Sequence, residues 1–217
     1  EAKAIVLTGA GRFFSFGLDV PEFLSFDKAR FAQFLTGFTH LCAYIFLYPK
    51  PVVAALNGHT IAGGCMLAVA CDYRVMATGK GRIALNELSF GSSVFAGITE
   101  MLRFCIGSAN AAKVLYSASM YSAEEAKGIE LIDEVATEQE VLTAAARMAS
   151  ALGSKHPPAF AGVKSLLRKP ISAHPRSIRA CLSPYCPEGR SSSAAVISLR
   201  CSNTTARIRP CRSPKWL

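Results

Sequence analysis

PVVAALNGHTIAGGCMLAVACDYRVMA, residues 51–77, holds a strand, a turn, a helix and a second strand in succession. Pro51-Val52-Val53-Ala54-Ala55-Leu56 is a short continuous apolar run, the pattern of a buried strand. Asn57-Gly58 closes it with a turn. Gly63-Gly64 then precedes Cys65 to Cys71, an apolar run rich in helix formers, and Asp72 to Ala77 reads as the next strand. Strands alternating with helices place the chain in the α/β class.

The alternation extends in both directions. Ala4 to Thr8 reads as a buried strand, Gly9 to Arg12 as a turn, and Phe13 to Val20 as a loop around Gly17. Pro21 opens a helical stretch, since proline suits a first helical turn. Phe31, Phe34, Leu35, Phe38, Leu41, Cys42 and Ile45 recur at spacings of three and four, which predicts a core-facing amphipathic helix up to Tyr48. Helices are expected around 98–106 and 109–115. Ser122-Ala123-Glu124-Glu125 is a capping box opening a helix that ends at Gly128. A short strand over 129–135 and a helix over 138–152, stopped by Gly153, complete the pattern. The pattern ends near Pro170, with Lys169 as the expected last helical residue because a residue before proline is pushed out of the helical region. The reading is thus a body over 1–170 and a tail over 171–217.

Composition separates the same two parts. Half of the 217 residues are hydrophobic and 18% are charged, which suits a globular core and excludes global disorder. The net charge of +9 is uneven: residues 1–170 carry 16 Lys/Arg and 14 Asp/Glu, and the tail carries 8 and 1. A nucleic-acid-binding reading therefore rests on the tail alone, and the body does not support it. Cys42, Cys65, Cys71 and Cys105 sit among apolar residues without CxxC spacing, so they read as buried free thiols. The tail cysteines match no zinc pattern, and no metal is expected. No signal peptide and no membrane-length apolar run is visible. The chain begins at Glu1 and runs directly into a strand, so its N-terminus reads as truncated or processed.

Three segments carry chemistry. Phe14-Ser15-Phe16-Gly17-Leu18-Asp19 has a glycine that permits a tight turn and close ligand approach. Asn57 to Cys65 has a double glycine before a helix, which exposes unpaired N–H donors at its positive end. One donor from each loop can converge on a thioester oxygen and stabilise an enolate. Leu85-Asn86-Glu87 supplies a carboxylate in an apolar segment, where burial raises its pKa toward proton transfer. His59 and Asp19 read as loop residues, Asp19 holding backbone N–H groups. Asp72 and Arg74 read as surface or interface charges.

In order and spacing these segments resemble the crotonase superfamily, the enoyl-CoA hydratase/isomerase family. Ala70-Cys71-Asp72-Tyr73-Arg74 and Ala126-Lys127-Gly128-Ile129 through Val135 are similar to further family segments. The resemblance covers most of residues 1–169. It implies a crotonase-like (ββα) spiral core. It assigns the enolate-stabilising N–H groups to Leu18 and Gly63, and the acyl-CoA lining to Phe16, Gly17, Leu18, Asp19, Val20 and Gly63. Hydratases of the family use two glutamates; this chain has Met66 at the first position and Glu87 at the second. A thioether neither delivers nor accepts a proton in this role. Leu85-Asn86-Glu87 resembles the corresponding segment of Δ3,Δ2-enoyl-CoA isomerases, with Asn86 contacting substrate. The resemblance thus implies isomerisation of a 3-enoyl-CoA through Glu87 alone, within fatty-acid β-oxidation. A hydratase-like or other crotonase reaction is the alternative. No cofactor is implied, since coenzyme A belongs to the substrate. A homotrimer or hexamer is implied, with no membrane partner, in the cytoplasm of a bacterium or the mitochondrial matrix of a eukaryote.

Residues 171–217 do not resemble the helices with which the family continues. Their nine Ser and five Pro and their Arg and Cys content read as the product of a shifted reading frame, or as a natural basic tail. No stable helical hairpin is expected there.

Overall fold

The computed structural model describes residues 2–172 and two short strands, Ala195–Ser198 and Ile208–Pro210. Its elements follow the periodicities of the chain. β1 (Ile5–Thr8), β3 (Val52–Leu56) and β5 (Tyr73–Ala77) are the apolar runs, with every residue of β3 buried. They pair in parallel, Ile5 opposite Val52 and Val53 opposite Tyr73. With β7 (Glu134–Ala136), β8 (Ala195–Ser198) and β9 (Ile208–Pro210), they form a six-stranded sheet in the order β7-β5-β3-β1-β8-β9. Only the β8–β9 pair is antiparallel.

A second, parallel sheet orders β2 (Phe13–Ser15), β4 (His59–Ile61) and β6 (Ile83–Ala84). The loop expected over 13–20 thus begins as a strand, and β4 occupies what reads as a turn region. Two or three residues are too few to set a period, so backbone pairing alone defines these strands.

The helices cover the sheets. α1 (Val20–Leu24) follows the first loop, and α2 (Lys28–Leu47) is capped by Asp27, whose carboxylate accepts from the Arg30 N–H. α3 (Gly63–Ala70) is buried along its whole length and sits in the main apolar core with Phe46, Leu56, Leu85 and Leu102. The two helices expected near 100–115 form one element, α4 (Ala96–Ser117), broken at Gly107, where φ is 72°. The capping box on α5 (Ala123–Gly128) is formed in both directions between Ser122 and Glu125. α6 (Val141–Gly153) packs its alanines under β1, β3 and β5 in a second core with Val6, Val53 and Val75.

α7 (Pro157–Ser172) corrects two expectations. It runs through Lys169 and Pro170, past the expected end. A proline there forgoes a backbone hydrogen bond and crowds the carbonyl four residues before it; Lys164 and Arg168 tie the helix to the core. Both are buried and bind the Asp72 carboxylate, at 2.7 Å from Lys164 and 2.9 Å from Arg168. Asp72 is therefore no surface charge, and neither is Arg74, which is 4% exposed, pairs with Asp133 at 2.8 Å and donates to the Leu131 carbonyl. Their partners lie far along the sequence, so their burial is set by tertiary contacts. Of the tail, the two strands β8 and β9 are described, on the side of β1 away from β3. The remainder, including its cysteines and most of its basic residues, lies outside the described residues.

Candidate active site

α3 begins where the chain leaves β4. At Ala62 the backbone takes φ 50° and ψ −119°, a left-handed conformation that favours glycine. This twist aims the first N–H groups of α3 back toward the 15–18 loop. Gly64 then lies against Ser15: a Cβ on it would stand 2.2 Å from the Ser15 carbonyl oxygen. Gly17, at φ 98°, turns the first loop so that it faces Gly63. A Cβ on Gly63 would lie 3.3 Å from the Gly17 Cα, 3.4 Å from the Leu18 N and 3.3 Å from the Phe38 ring. A Cβ on Gly17 would lie 3.1 Å from the Gly63 N. Only glycine leaves this space open.

The Leu18 and Gly63 amides thus stand side by side, and among the described residues neither donates a hydrogen bond. Two free N–H groups converging at a helix N-terminus suit a developing oxyanion. The strain at Ala62 is local. Ala62→Gly should raise stability by about 1 kcal/mol, since residues held in such regions cost of order 1–3 kcal/mol and glycine loses part of that gain to chain entropy. Urea unfolding measures it; a loss of stability would show that the alanine is unstrained.

Glu87 opens a 3-10 turn, Glu87–Phe90, closed by Gly91 at φ 76°. Its carboxylate is buried, and neither oxygen has a hydrogen-bond partner. Burial pushes its pKa up, opposed in part by the nearby N–H of its own backbone. The Oδ1 of neighbouring Asn86 is also buried without a partner. Unpaired buried polar atoms are rare in folded proteins and call for an explanation; three at adjacent residues point to a ligand. Burial first, and the charge of Glu87 second, push the Cys65 thiol pKa up. Met66 is buried in the main core.

The remaining expected site residues are distributed around these groups. Phe16 is half exposed and packs edge-on against Phe13, at 5.5 Å, and His59, at 6.2 Å. Asp19 Oδ1 accepts from the Glu22 N–H at 3.3 Å, which fixes the start of α1. Val20 is the exposed first residue of α1. Cys42, Cys65 and Cys71 are buried free thiols; burial pushes Cys42 and Cys71 up to about 12, so they stay protonated and unreactive. Cys105 is half-buried and free. Phe38 was not among the expected site residues. Its helical spacing marks it as core, and only the packing of α2 on α3 brings its ring beside Gly63. Among the described residues no group of three His, Cys, Asp or Glu could hold a metal, and no helix is long and apolar enough to cross a membrane.

Two backbone N–H groups that donate to nothing among the described residues and a buried, unpartnered carboxylate on a parallel α/β scaffold suit proton transfer beside a carbonyl. Residues 1–181 match the family model described as Enoyl-CoA hydratase/isomerase, and the chain belongs to that family. It is 33% identical over 141 residues to the mitochondrial enoyl-CoA delta isomerase 1 of Mus musculus, covering 64% of this chain and 49% of that one. It is 32% identical over 164 residues to the 2,3-dehydroadipyl-CoA hydratase of Escherichia coli K12, covering 76% and 63%. The solved structure of human mitochondrial delta3-delta2-enoyl-CoA isomerase superposes with a TM-score of 0.75 at 27% identity, over 78% of this chain and 66% of that one. The chain spans about half to two thirds of the length of the curated relatives it matches.

Proposed function

We propose that the site isomerises a 3-enoyl-CoA to the 2-enoyl-CoA, with Glu87 as the only proton carrier. The observation that carries this reading is the buried, unpartnered Glu87 carboxylate with Met66 at the other proton-transfer position. The carboxylate takes a proton from C2. The Leu18 and Gly63 N–H groups hold the thioester oxygen as charge moves onto it. The protonated Glu87 then returns the proton at C4, and Asn86 contacts the bound substrate. One residue acts as base and then acid, so the step uses no water and no cofactor; coenzyme A enters as part of the substrate. Phe16, Gly17, Asp19 and Val20 line the approach to Leu18.

The hydratase names among the relatives favour a second reading, hydration of a 2-enoyl-CoA. Incubating the chain separately with 3-hexenoyl-CoA and crotonyl-CoA separates the two. Conjugated product from the first and negligible hydration of the second are expected; rapid hydration of crotonyl-CoA overturns the isomerase reading. A homotrimer or hexamer is the proposed assembly, supported by the exposed Val163, Leu166 and Leu167 on one face of α7. Light scattering on the intact protein checks it, and a stable monomer would refute it.

A further inference from the structure

The Asn57 side chain joins the turn after β3 to the turn after β1. Its Oδ1 accepts from the Gly9 N–H at 2.9 Å and lies 3.4 Å from the Thr8 hydroxyl, which also reaches the Ala55 carbonyl at 3.1 Å. Its Nδ2 donates to the Gly11 carbonyl at 2.8 Å and to the Phe13 carbonyl at 3.2 Å. Donors meet one end of the carboxamide and acceptors the other, so its orientation is fixed by its partners. An aspartate offers no donor to those carbonyls, and an alanine offers neither donor nor acceptor.

These bonds hold the starts of the two strands that lead to the paired amides. Phe13 opens β2 and His59 opens β4. The His59 N–H donates to the Arg12 carbonyl at 3.0 Å, and a Cβ on Gly58 would stand 2.1 Å from that oxygen. Leu18 lies three residues beyond the end of β2, and Gly63 lies two beyond the end of β4. The placement of one amide beside the other therefore follows from how β2 is seated on β4. That ladder pairs Phe13 with His59 and Ser15 with Thr60, and its register shifts between them. So short and irregular a ladder specifies its register weakly. Asn57 supplies the missing constraint by tying Phe13 to the turn that enters β4.

We propose that Asn57 is a positioning residue: its carboxamide seats β2 on β4 and so sets the spacing of the Leu18 and Gly63 amides around the thioester oxygen. The inference rests on the role proposed above for those amides, and it is the same for isomerisation and hydration.

The carbonyl stretch of a bound thioester reads the two donors directly, because hydrogen bonds to its oxygen weaken the C=O bond. The probe is unreactive hexanoyl-CoA, isotope-labelled at its carbonyl carbon, in infrared difference spectra with the full chain. Bound to the wild type, the band should lie below its position in water. Asn57→Asp sets a charged oxygen against the Gly11 and Phe13 carbonyls, and Asn57→Ala leaves them to water at this half-buried site. Both variants should lose most of the band shift while binding hexanoyl-CoA within about threefold of the wild type. Turnover of 3-hexenoyl-CoA should fall in kcat by about 100-fold, the cost of a misplacement of about 1 Å. Ser122→Ala, which lowers stability through the α5 cap and lies on neither donor strand, should keep the full shift.

A full shift in a folded Asn57 variant overturns the proposal, as does loss of the shift in Ser122→Ala. Unfolding of both Asn57 variants, or loss of hexanoyl-CoA binding in both, also overturns it, because the side chain would then hold the fold and not the donors. A wild type that shifts the band, loses the shift on substitution of Asn57 and yet turns over no 3-hexenoyl-CoA supports the positioning role and refutes isomerisation. A bound ester without a shift in the wild type overturns the positioning role whatever the turnover. Failure of the wild type to bind the ester overturns both readings.

Discussion

On the proposed isomerase reading, Glu87→Gln should lower turnover of a 3-enoyl-CoA by roughly 10²–10⁴-fold, the usual contribution of general acid–base catalysis, and leave binding of unreactive acyl-CoA esters nearly unchanged. The amide keeps the shape of the carboxylate but neither takes nor returns the proton. The pH dependence tests the same residue. Burial raises the Glu87 pKa above the ordinary carboxylate range, so the wild-type rate should fall on the acid side at a higher pH than an exposed glutamate would give. Stability follows with the opposite benefit. A carboxyl with a raised folded-state pKa favours the fold below its unfolded pKa, and that contribution is lost as pH rises through the folded value. Glu87→Gln is therefore expected to be more stable than the wild type at neutral pH, with the difference vanishing in acid. Full activity in the variant, or an acid limb at the pH of an exposed carboxylate, would remove Glu87 from the mechanism.

The largest expected loss of stability comes from Asp72→Ala. The Asp72 carboxylate accepts from the Val52 N–H at 2.7 Å and pairs with Lys164 and Arg168. Both cations are buried, and burial lowers the pKa of each while Asp72 raises it. Arg168 also donates to the carbonyls of Phe46, Ala70 and Cys71 and stacks on the Phe46 ring at 4.1 Å. Removing Asp72 leaves two desolvated positive charges without their counter-ion, a loss of about 3–5 kcal/mol. Replacing Asp72, Lys164 and Arg168 together with apolar residues of similar volume should cost much less, because no charge is left unpaired. Urea unfolding of both variants decides the matter. A single-variant loss below about 1 kcal/mol would mean that the network is solvated and that α7 is held by its apolar contacts alone.

Local pattern explains what could be read along the chain. The runs Val52–Leu56 and Tyr73–Ala77 read as strands because they are short, bounded by turn residues and carry β-branched or aromatic side chains. The Ser122–Glu125 capping box and the glycine stop at Gly153 act within a few residues, and each takes effect where its sequence places it. The segments bearing Leu18, Gly63 and Glu87 were legible because glycine spacing and an isolated glutamate are local features. Phe13–Ser15 and His59–Ile61 were not legible as strands, since so few residues carry no period.

By itself, then, the sequence determined the α/β class, the glycine loops, the lone glutamate at 87 and the methionine at 66. The tertiary structure alone decided how these groups meet. It set the Leu18 and Gly63 amides side by side and left both oxygens of Glu87 unpaired. It enclosed Asp72 between two cations more than ninety residues away and laid the Phe38 ring over the donor loop. Burial and pairing are properties of what other elements bring to a residue, and a helix face in sequence carries no record of which helix will cover it.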